Sequence, residues 1–188
     1  YYQLPDFGII TLHQATLHSI QAIYEPTADY FPNVYGGFAI NCNSQIIVGG
    51  GFDDDQGFLN NVFIFEDESF KKIQPLNKEE YITSAVYFSS PSVINENVLI
   101  VSHFPGNDVE YLVINESFRS NPWKMCSDKL PKGIPHHQIN VLNNKLILTG
   151  GISEIGWVPS NEVWEGIISF EPELRINWSP LPPMLEYR

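Results

Sequence analysis

Basic residues and long apolar runs are both scarce in this 188-residue sequence, and each scarcity excludes a class of protein. Ten Lys and Arg against 22 Asp and Glu give a net charge of −12, whereas proteins that bind a nucleic-acid backbone cluster basic residues to neutralise phosphates. We therefore expect no nucleic-acid partner. No run approaches the roughly 18 apolar residues of a membrane-spanning helix, and we expect no signal peptide, since the first residues do not have the pattern of one. We expect a soluble protein without a membrane span.

Cysteine is also scarce. The two cysteines, Cys42 and Cys126, match neither a disulfide framework nor the spacing of a zinc site. We expect them to be free, buried and apolar in character, in a protein of a reducing compartment, the cytoplasm. The chain begins Tyr1-Tyr2-Gln3 without a methionine, so we expect a processed product, an engineered segment or a stretch of something longer.

Helical periodicity is lacking as well, since no segment of about ten or more residues carries an apolar stripe of 3.6-residue period. Short apolar runs rich in Ile, Val, Phe and Tyr are present instead, separated by Asn, Asp, Gly, Pro and Ser, which is typical of β-strands. Asn43-Ser44, Asn95-Glu96-Asn97 and Asn143-Asn144 separate pairs of runs and are predicted hairpin tips. The sequence therefore predicts an all-β fold. The runs cover 38–41, 45–48, 61–65, 98–101, 110–114, 145–148 and 167–170.

One motif returns along the chain with a period of about 50 residues. Ile46-Ile47-Val48-Gly49-Gly50-Gly51 recurs as Leu146-Ile147-Leu148-Thr149-Gly150-Gly151, and Leu99-Ile100-Val101-Ser102-His103 is a degenerate copy between them. Further along, Asn60-x-Val62 and Asn161-x-Val163 begin the next apolar run in the first and last copies. A large apolar residue closes each copy: Ile73, Trp123 and Trp178.

These residues resemble the kelch repeat, in which an apolar run ends in Gly-Gly and is followed by a strand with an aromatic and an acidic residue, then a Trp near Pro-Leu or Leu-Pro. The last copy, Leu146 to Arg188, matches best, and the middle copy lacks both glycines at Ser102-His103. The resemblance implies a β-propeller of four-stranded antiparallel blades that cover each other's apolar faces. It further implies that the glycine pair marks a sharp, closely packed strand end, and that Ile73, Trp123 and Trp178 share one position between blades.

The repeats divide the chain into outer strands of a preceding partial blade at 1–34, a kelch-like blade at 35–81, a degenerate blade at 82–133 and a third blade at 134–188. Three blades and part of another are fewer than the roughly four to eight blades of a closed propeller. We therefore expect a fragment of a larger kelch-type propeller, with a four-bladed ring closed by both termini as the alternative. In a fragment, the remainder of the propeller or another subunit covers the open blade faces.

The working surface is expected on one face of the propeller, because the second-to-third and fourth-to-first connections of an antiparallel blade return to the same side. Loop aromatics that face solvent are typical of binding hot spots, and the alternative is that they fold back over the blade. The acidic run at 53–55 is contiguous, whereas calcium loops alternate their carboxylates, so attraction of a basic partner segment is favoured over a metal. The predicted partner-binding residues are Asp53, Asp54, Asp55, Phe58, His103, Phe104, Glu154 and Trp157.

The predicted function is protein–protein interaction, as a scaffold or adaptor that requires no cofactor or metal. No nucleophile elbow, phosphate-binding glycine loop or metalloprotease motif is present in the sequence. The alternative is an enzyme on the same fold with its site in the central channel, similar to a sialic acid mutarotase or a copper oxidase. His103 and His136-His137, together with Cys42 and Tyr35 or Tyr87, prompt the copper comparison, although they show no further ligand spacing.

Overall fold

A computed structural model describes residues 35–90, 93–131, 135–152 and 158–186. These residues form three four-stranded antiparallel sheets that follow one another along the chain. The first sheet contains β1 (Phe38–Cys42), β2 (Gln45–Gly49), β5 (Val62–Glu66) and β6 (Ser69–Ile73), with a ribbon of β3 (Phe52–Asp53) and β4 (Gly57–Phe58) between β2 and β5. The second contains β7 (Tyr81–Ser89), β8 (Asn97–Phe104), β9 (Val109–Val113) and β10 (Lys124–Met125). The third contains β11 (Gln138–Leu142), β12 (Lys145–Thr149), β13 (Val163–Phe170) and β14 (Leu174–Leu181).

Each sheet has the same up-and-down strand order. Its four strands are hydrogen-bonded to one another in the order in which they occur along the chain. The all-β prediction is confirmed, because each predicted apolar run lies in or overlaps a strand, and the described ranges contain a 3₁₀ turn at Phe118–Ser120 but no α-helix. Strands in which polar residues interrupt the apolar ones were not predicted, because the prediction was based on apolar runs. An example is Ser69–Ile73, where two lysines interrupt the apolar residues.

The two short hairpin tips are confirmed. Asn43 and Ser44 have φ angles of 50° and 67°, and Asn143 and Asn144 have 50° and 61°. Positive φ at both central residues is the geometry of a type I′ turn, whose twist matches that of the flanking strands. The third predicted tip also lies between two strands, but β8 already begins at Asn97.

The sheets pack face to face in chain order around two apolar cores. Alternate residues of β8 point to opposite sides, so that Leu99 and Val101 enter the core shared with the first sheet, while Val98 and Ile100 enter the core shared with the third. β7 lies beside β1 and also beside β11, which brings the first strands of all three sheets together. Sheets stacked around a common line of first strands are arranged as successive blades of a partial propeller, and the described strands form no closed barrel.

The glycine pairs lie at equivalent corners of the first and third sheets, as predicted. Gly50 follows β2 with φ 65°, and Gly150 follows β12 with φ 67°. A Cβ on Gly50 would come within 2.6 Å of Ile82 Cγ1 in the next sheet. The position therefore requires both a left-handed backbone and the absence of a side chain.

The prediction that one large apolar residue recurs at one position is wrong for Trp178. Val62 and Val163 hold equivalent places, because each pairs with the last residue of the second strand of its sheet. Ile73 lies opposite Val62, but Leu181 lies opposite Val163. The hairpin of β13 and β14 has eight residues in each strand against five in β5 and β6, which moves Trp178 along the hairpin. Trp178 nevertheless packs against the core between the second and third sheets.

Both cysteines are free and buried, as predicted, with 1% of Cys42 and 6% of Cys126 exposed. Burial raises the pKa of the Cys42 thiol to about 12, so that this side chain stays an uncharged thiol at neutral pH. Among the residues that the structure describes, no helix has the length and apolar character to cross a membrane.

Candidate functional site

The connections of the first two sheets that were predicted to share a face do meet there, whereas the middle of the corresponding connection of the third sheet lies outside the described residues. Phe58, between the second and third strands of the first sheet, packs against Tyr81 at the end of the next fourth-to-first connection, with ring centroids 4.9 Å apart. Lys78 in that connection forms an ion pair with Asp108, which lies between β8 and β9. Lys129, in the following connection, reaches the same carboxylate at 2.9 Å. We call the surface built by these connections the loop face.

Four aromatic rings form one cluster at the loop face: Tyr35, Phe52, Phe58 and Tyr81. The Phe52 ring contacts the other three, with centroid distances of 5.3 Å to Tyr35, 5.0 Å to Phe58 and 6.0 Å to Tyr81. The rings are tilted or meet edge to face, which are favourable arrangements of aromatic quadrupoles. Even so, Tyr35 remains 51% exposed and Phe58 40% exposed. We call these four residues the aromatic cluster.

Local hydrogen bonds explain why the cluster forms here. Phe52 pairs with Phe58 across the ribbon, and backbone hydrogen bonds of 2.8 and 3.1 Å tie Tyr35 to Phe52. Asp53 is buried, and its Oδ1 accepts hydrogen bonds from the backbone N–H groups of Asp55 at 3.0 Å and Gln56 at 2.8 Å. The first carboxylate of the acidic run therefore holds the turn that carries the other two.

Asp54 and Asp55 are exposed at the edge of the aromatic cluster. The Tyr35 hydroxyl donates to Asp54 Oδ1 at 3.1 Å. Partial desolvation of the half-exposed side chain, followed by this hydrogen bond and the negative charge of Asp54, raises the pKa of the Tyr35 phenol, which therefore stays protonated and able to donate at neutral pH. The cluster thus combines exposed rings with carboxylates on the same ribbon.

A buried carboxylate in the second sheet fastens the connection that leads to Tyr81. Glu110 in β9 is fully buried, and its Oε2 accepts from the backbone N–H of Asn77 at 2.9 Å and from Asn77 Nδ2 at 2.8 Å. Its Oε1 accepts from the backbone N–H of Lys78 at 3.0 Å. Asn77 Nδ2 also donates to the Trp123 carbonyl at 2.9 Å. Three charge-assisted hydrogen bonds therefore hold the connection against β9.

Sequence reasoning missed Glu110, although a signal was present. The residue stands inside the apolar stretch Val109-Glu110-Tyr111-Leu112, where an unpaired carboxylate is costly, so that its position indicates a specific set of donors. The identity of those donors, in a connection more than 30 positions earlier, had no sequence signal.

The predicted partner residue His103 lies beneath the loop face, with 1% of its surface exposed. Its Nε2 is 3.1 Å from Glu110 Oε1, and its Nδ1 is 3.9 Å from Glu80 Oε2. Each ring nitrogen thus lies near a carboxylate oxygen, but neither makes an aligned hydrogen bond to any residue in the described ranges. The imidazole is therefore enclosed between two carboxylates. Phe104, at the end of β8, is half-buried.

The remaining predicted residues have separate outcomes. Glu154 and Trp157 lie outside the described residues. His137, from the copper comparison, is buried, and its Nε2 lies 2.9 Å from Ser102 Oγ. Within the part of the chain that the structure describes, no three His, Cys, Asp or Glu side chains are grouped closely enough to hold a metal ion.

The structure thus brings Asp54, Asp55 and Phe58 together at the loop face and adds Tyr35, Phe52 and Tyr81, which the sequence did not single out as partner residues. It separates Asp53 and His103 from the exposed surface, because both side chains are buried. Comparison of the sequence with protein-family models and with curated proteins finds no match.

Proposed function

We propose that this protein is a protein-interaction module, a scaffold or adaptor that binds a protein partner on its loop face. The observation that carries this proposal is the exposure of Tyr35 and Phe58 within a packed aromatic cluster. Large exposed aromatic side chains are over-represented among residues that dominate the energy of protein interfaces. The ribbon and the Asp53 turn hold the rings in place before binding, which reduces the conformational entropy lost on association.

We further propose that the three sheets are kelch-type blades of a larger propeller. The equivalent glycine corners, the recurring strand order and the period of the motif support this assignment. Free, buried cysteines are consistent with a reducing compartment, and the cytoplasm remains the proposed location.

The outer face of the third sheet supports the idea that another sheet covers it. Ile167 and Leu181 alternate with core residues of their strands and are 48% and 36% exposed, and Leu142 is 59% exposed. The first sheet uses the equivalent face to pack on the second sheet, since Ile73 there holds the place of Leu181. We propose that the remainder of the propeller, or another subunit, covers this face.

The loop-face proposal can be tested by site-specific photo-cross-linking. A benzoylphenylalanine residue at position 58 is expected to capture a protein partner from cells that express the chain, whereas the same residue at exposed position 72 on β6 is not. Excess unlabelled chain should compete, and excess Tyr35→Ala/Phe58→Ala chain should not. Equal capture from both positions, or capture that the double variant suppresses as well as the natural sequence does, would contradict the proposal.

A further inference from the structure

The aromatic cluster lies in a strongly anionic setting. Between Gly51 and Phe58 the ribbon contains three Asp and neither Lys nor Arg. The connection that leads to Tyr81 contains one basic residue, Lys78, and this side chain forms ion pairs with Glu80 and Asp108. This surface therefore favours a cationic guest and repels phosphates and carboxylates.

The spacing of the rings determines where such a guest can lie. The centroids of rings in contact are 4.9 to 6.5 Å apart, so that the rings leave no room for a cation between them. The accessible positions are the outer surfaces of Tyr35 and Phe58. Asp54 uses Oδ1 for the Tyr35 hydroxyl, and no hydrogen bond to another residue in the described ranges occupies its Oδ2 or the Asp55 carboxylate.

An arginine side chain satisfies both features at once. Its flat guanidinium stacks on an aromatic surface while its N–H groups point outward in the plane and pair with a carboxylate. A lysine ammonium is compact and strongly hydrated, and gains less from an exposed ring. We propose that the aromatic cluster binds an arginine side chain of the protein partner, with the guanidinium stacked on Tyr35 or Phe58 and paired with Asp54 or Asp55. This inference rests on the proposed function of the loop face.

The direct test is a titration of the 188-residue chain, with labelled Phe and Tyr rings observed by NMR. The probe is the peptide acetyl-Gly-Arg-Gly-Arg-Gly-amide, compared with the same peptide carrying lysine or citrulline in place of arginine. We expect the ring signals of Tyr35 and Phe58 to shift with the arginine peptide, and the lysine peptide to bind roughly twofold to fivefold more weakly. The citrulline peptide, which keeps the flat shape without the charge, should produce no shift at the same concentration.

Two substitutions test the contributions of the ring and of the carboxylate to binding separately. Phe58→Leu keeps an apolar side chain but removes the aromatic face, and Asp54→Asn removes one charge at the cluster. Each is expected to weaken binding of the arginine peptide several-fold, while Glu116→Gln, which removes one charge in an exposed turn after β9, should leave its affinity unchanged. Equal binding of the arginine and citrulline peptides, or full binding by a variant that combines Phe58→Leu with Tyr35→Leu, would overturn the inference.

The outcomes also distinguish this inference from the function it rests on. If the arginine peptide shifts neither ring while cross-linking at position 58 still captures a partner specifically, the arginine proposal fails and the loop-face proposal stands. If neither cross-link nor ring shift is observed, both proposals fail.

Discussion

Replacing Glu110 by Gln is expected to loosen the connection that carries Tyr81 to the aromatic cluster. The substitution keeps the size and shape of the side chain and removes one acceptor oxygen and the charge. In the natural chain the fully buried carboxylate accepts two hydrogen bonds from Asn77 and one from the backbone of Lys78. A glutamine carbonyl can serve Asn77, but its NH₂ group then takes the place of Oε1, where it faces the Lys78 N–H as a second donor and lies beside His103 Nε2.

The magnitude follows from these contacts. A hydrogen bond to a charged group contributes about 1.5 to 3 kcal/mol, and a buried donor left without an acceptor costs a further ~1 to 3 kcal/mol. We therefore expect the free energy of unfolding to fall by about 3 to 5 kcal/mol, the sum of these two terms. For a chain of this size each kcal/mol lowers Tm by ~2 to 4 °C.

The assay is urea unfolding followed by tryptophan fluorescence, combined with amide hydrogen exchange at Asn77 and Lys78. Both amides should exchange faster in Glu110→Gln, because each donates to the carboxylate that is altered. Glu116→Gln, at an exposed position, is the matched control. A loss below about 1 kcal/mol, the size of an ordinary surface substitution, together with unchanged exchange, would refute the anchoring role of Glu110.

Three further substitutions test the packing between sheets. Gly50→Ala is expected to destabilise the chain more than Gly57→Ala, because both have positive φ but only Gly50 has a neighbour within 2.6 Å of a new Cβ; equal Tm losses would contradict this. Trp123→Ala should cost ~3 to 5 kcal/mol in urea unfolding, since the side chain is 3% exposed in the core between the first two sheets. Arg175 lowers the pKa of Asp128. The stability that Asp128 adds is therefore present above the ordinary Asp pKa of about 3.9 and is lost as the pH falls through the lower pKa of the folded state. The free energy of unfolding of Asp128→Asn should therefore differ less from that of the natural chain in acid than at neutral pH. A difference that does not change with pH would argue against the ion pair.

Local chemistry made much of the fold predictable. Asn43-Ser44 and Asn143-Asn144 adopt the left-handed backbone that their positions between apolar runs predict, and Gly50 and Gly150 do so at the strand ends. These preferences act within a few residues and need no partner elsewhere in the chain. The period of the motif likewise predicted the stacking of similar sheets, because each sheet has an apolar face that another must cover.

The candidate site was only partly predictable. Asp54, Asp55 and Phe58 lie on the loop face where the topology of an antiparallel blade places them, and their role in partner binding stays a prediction. The adjacent Asp53 has the same type of side chain, but its carboxylate points inward and accepts hydrogen bonds from the backbone of the turn. Nothing in three consecutive aspartates indicates which one is buried.

By itself, the sequence determined the strand class, the hairpin turns, the period and the acidic surface, since each depends on composition or on neighbours along the chain. Only the tertiary structure decided that Glu110 holds Asn77, that His103 is enclosed between carboxylates and that Trp178 is displaced along its hairpin. The physical reason is that burial and pairing are set by residues tens of positions away, whose approach depends on strand length and register. The aromatic cluster illustrates the same point, because its rings come from the end of one connection and the middle of another and meet only when the sheets stack.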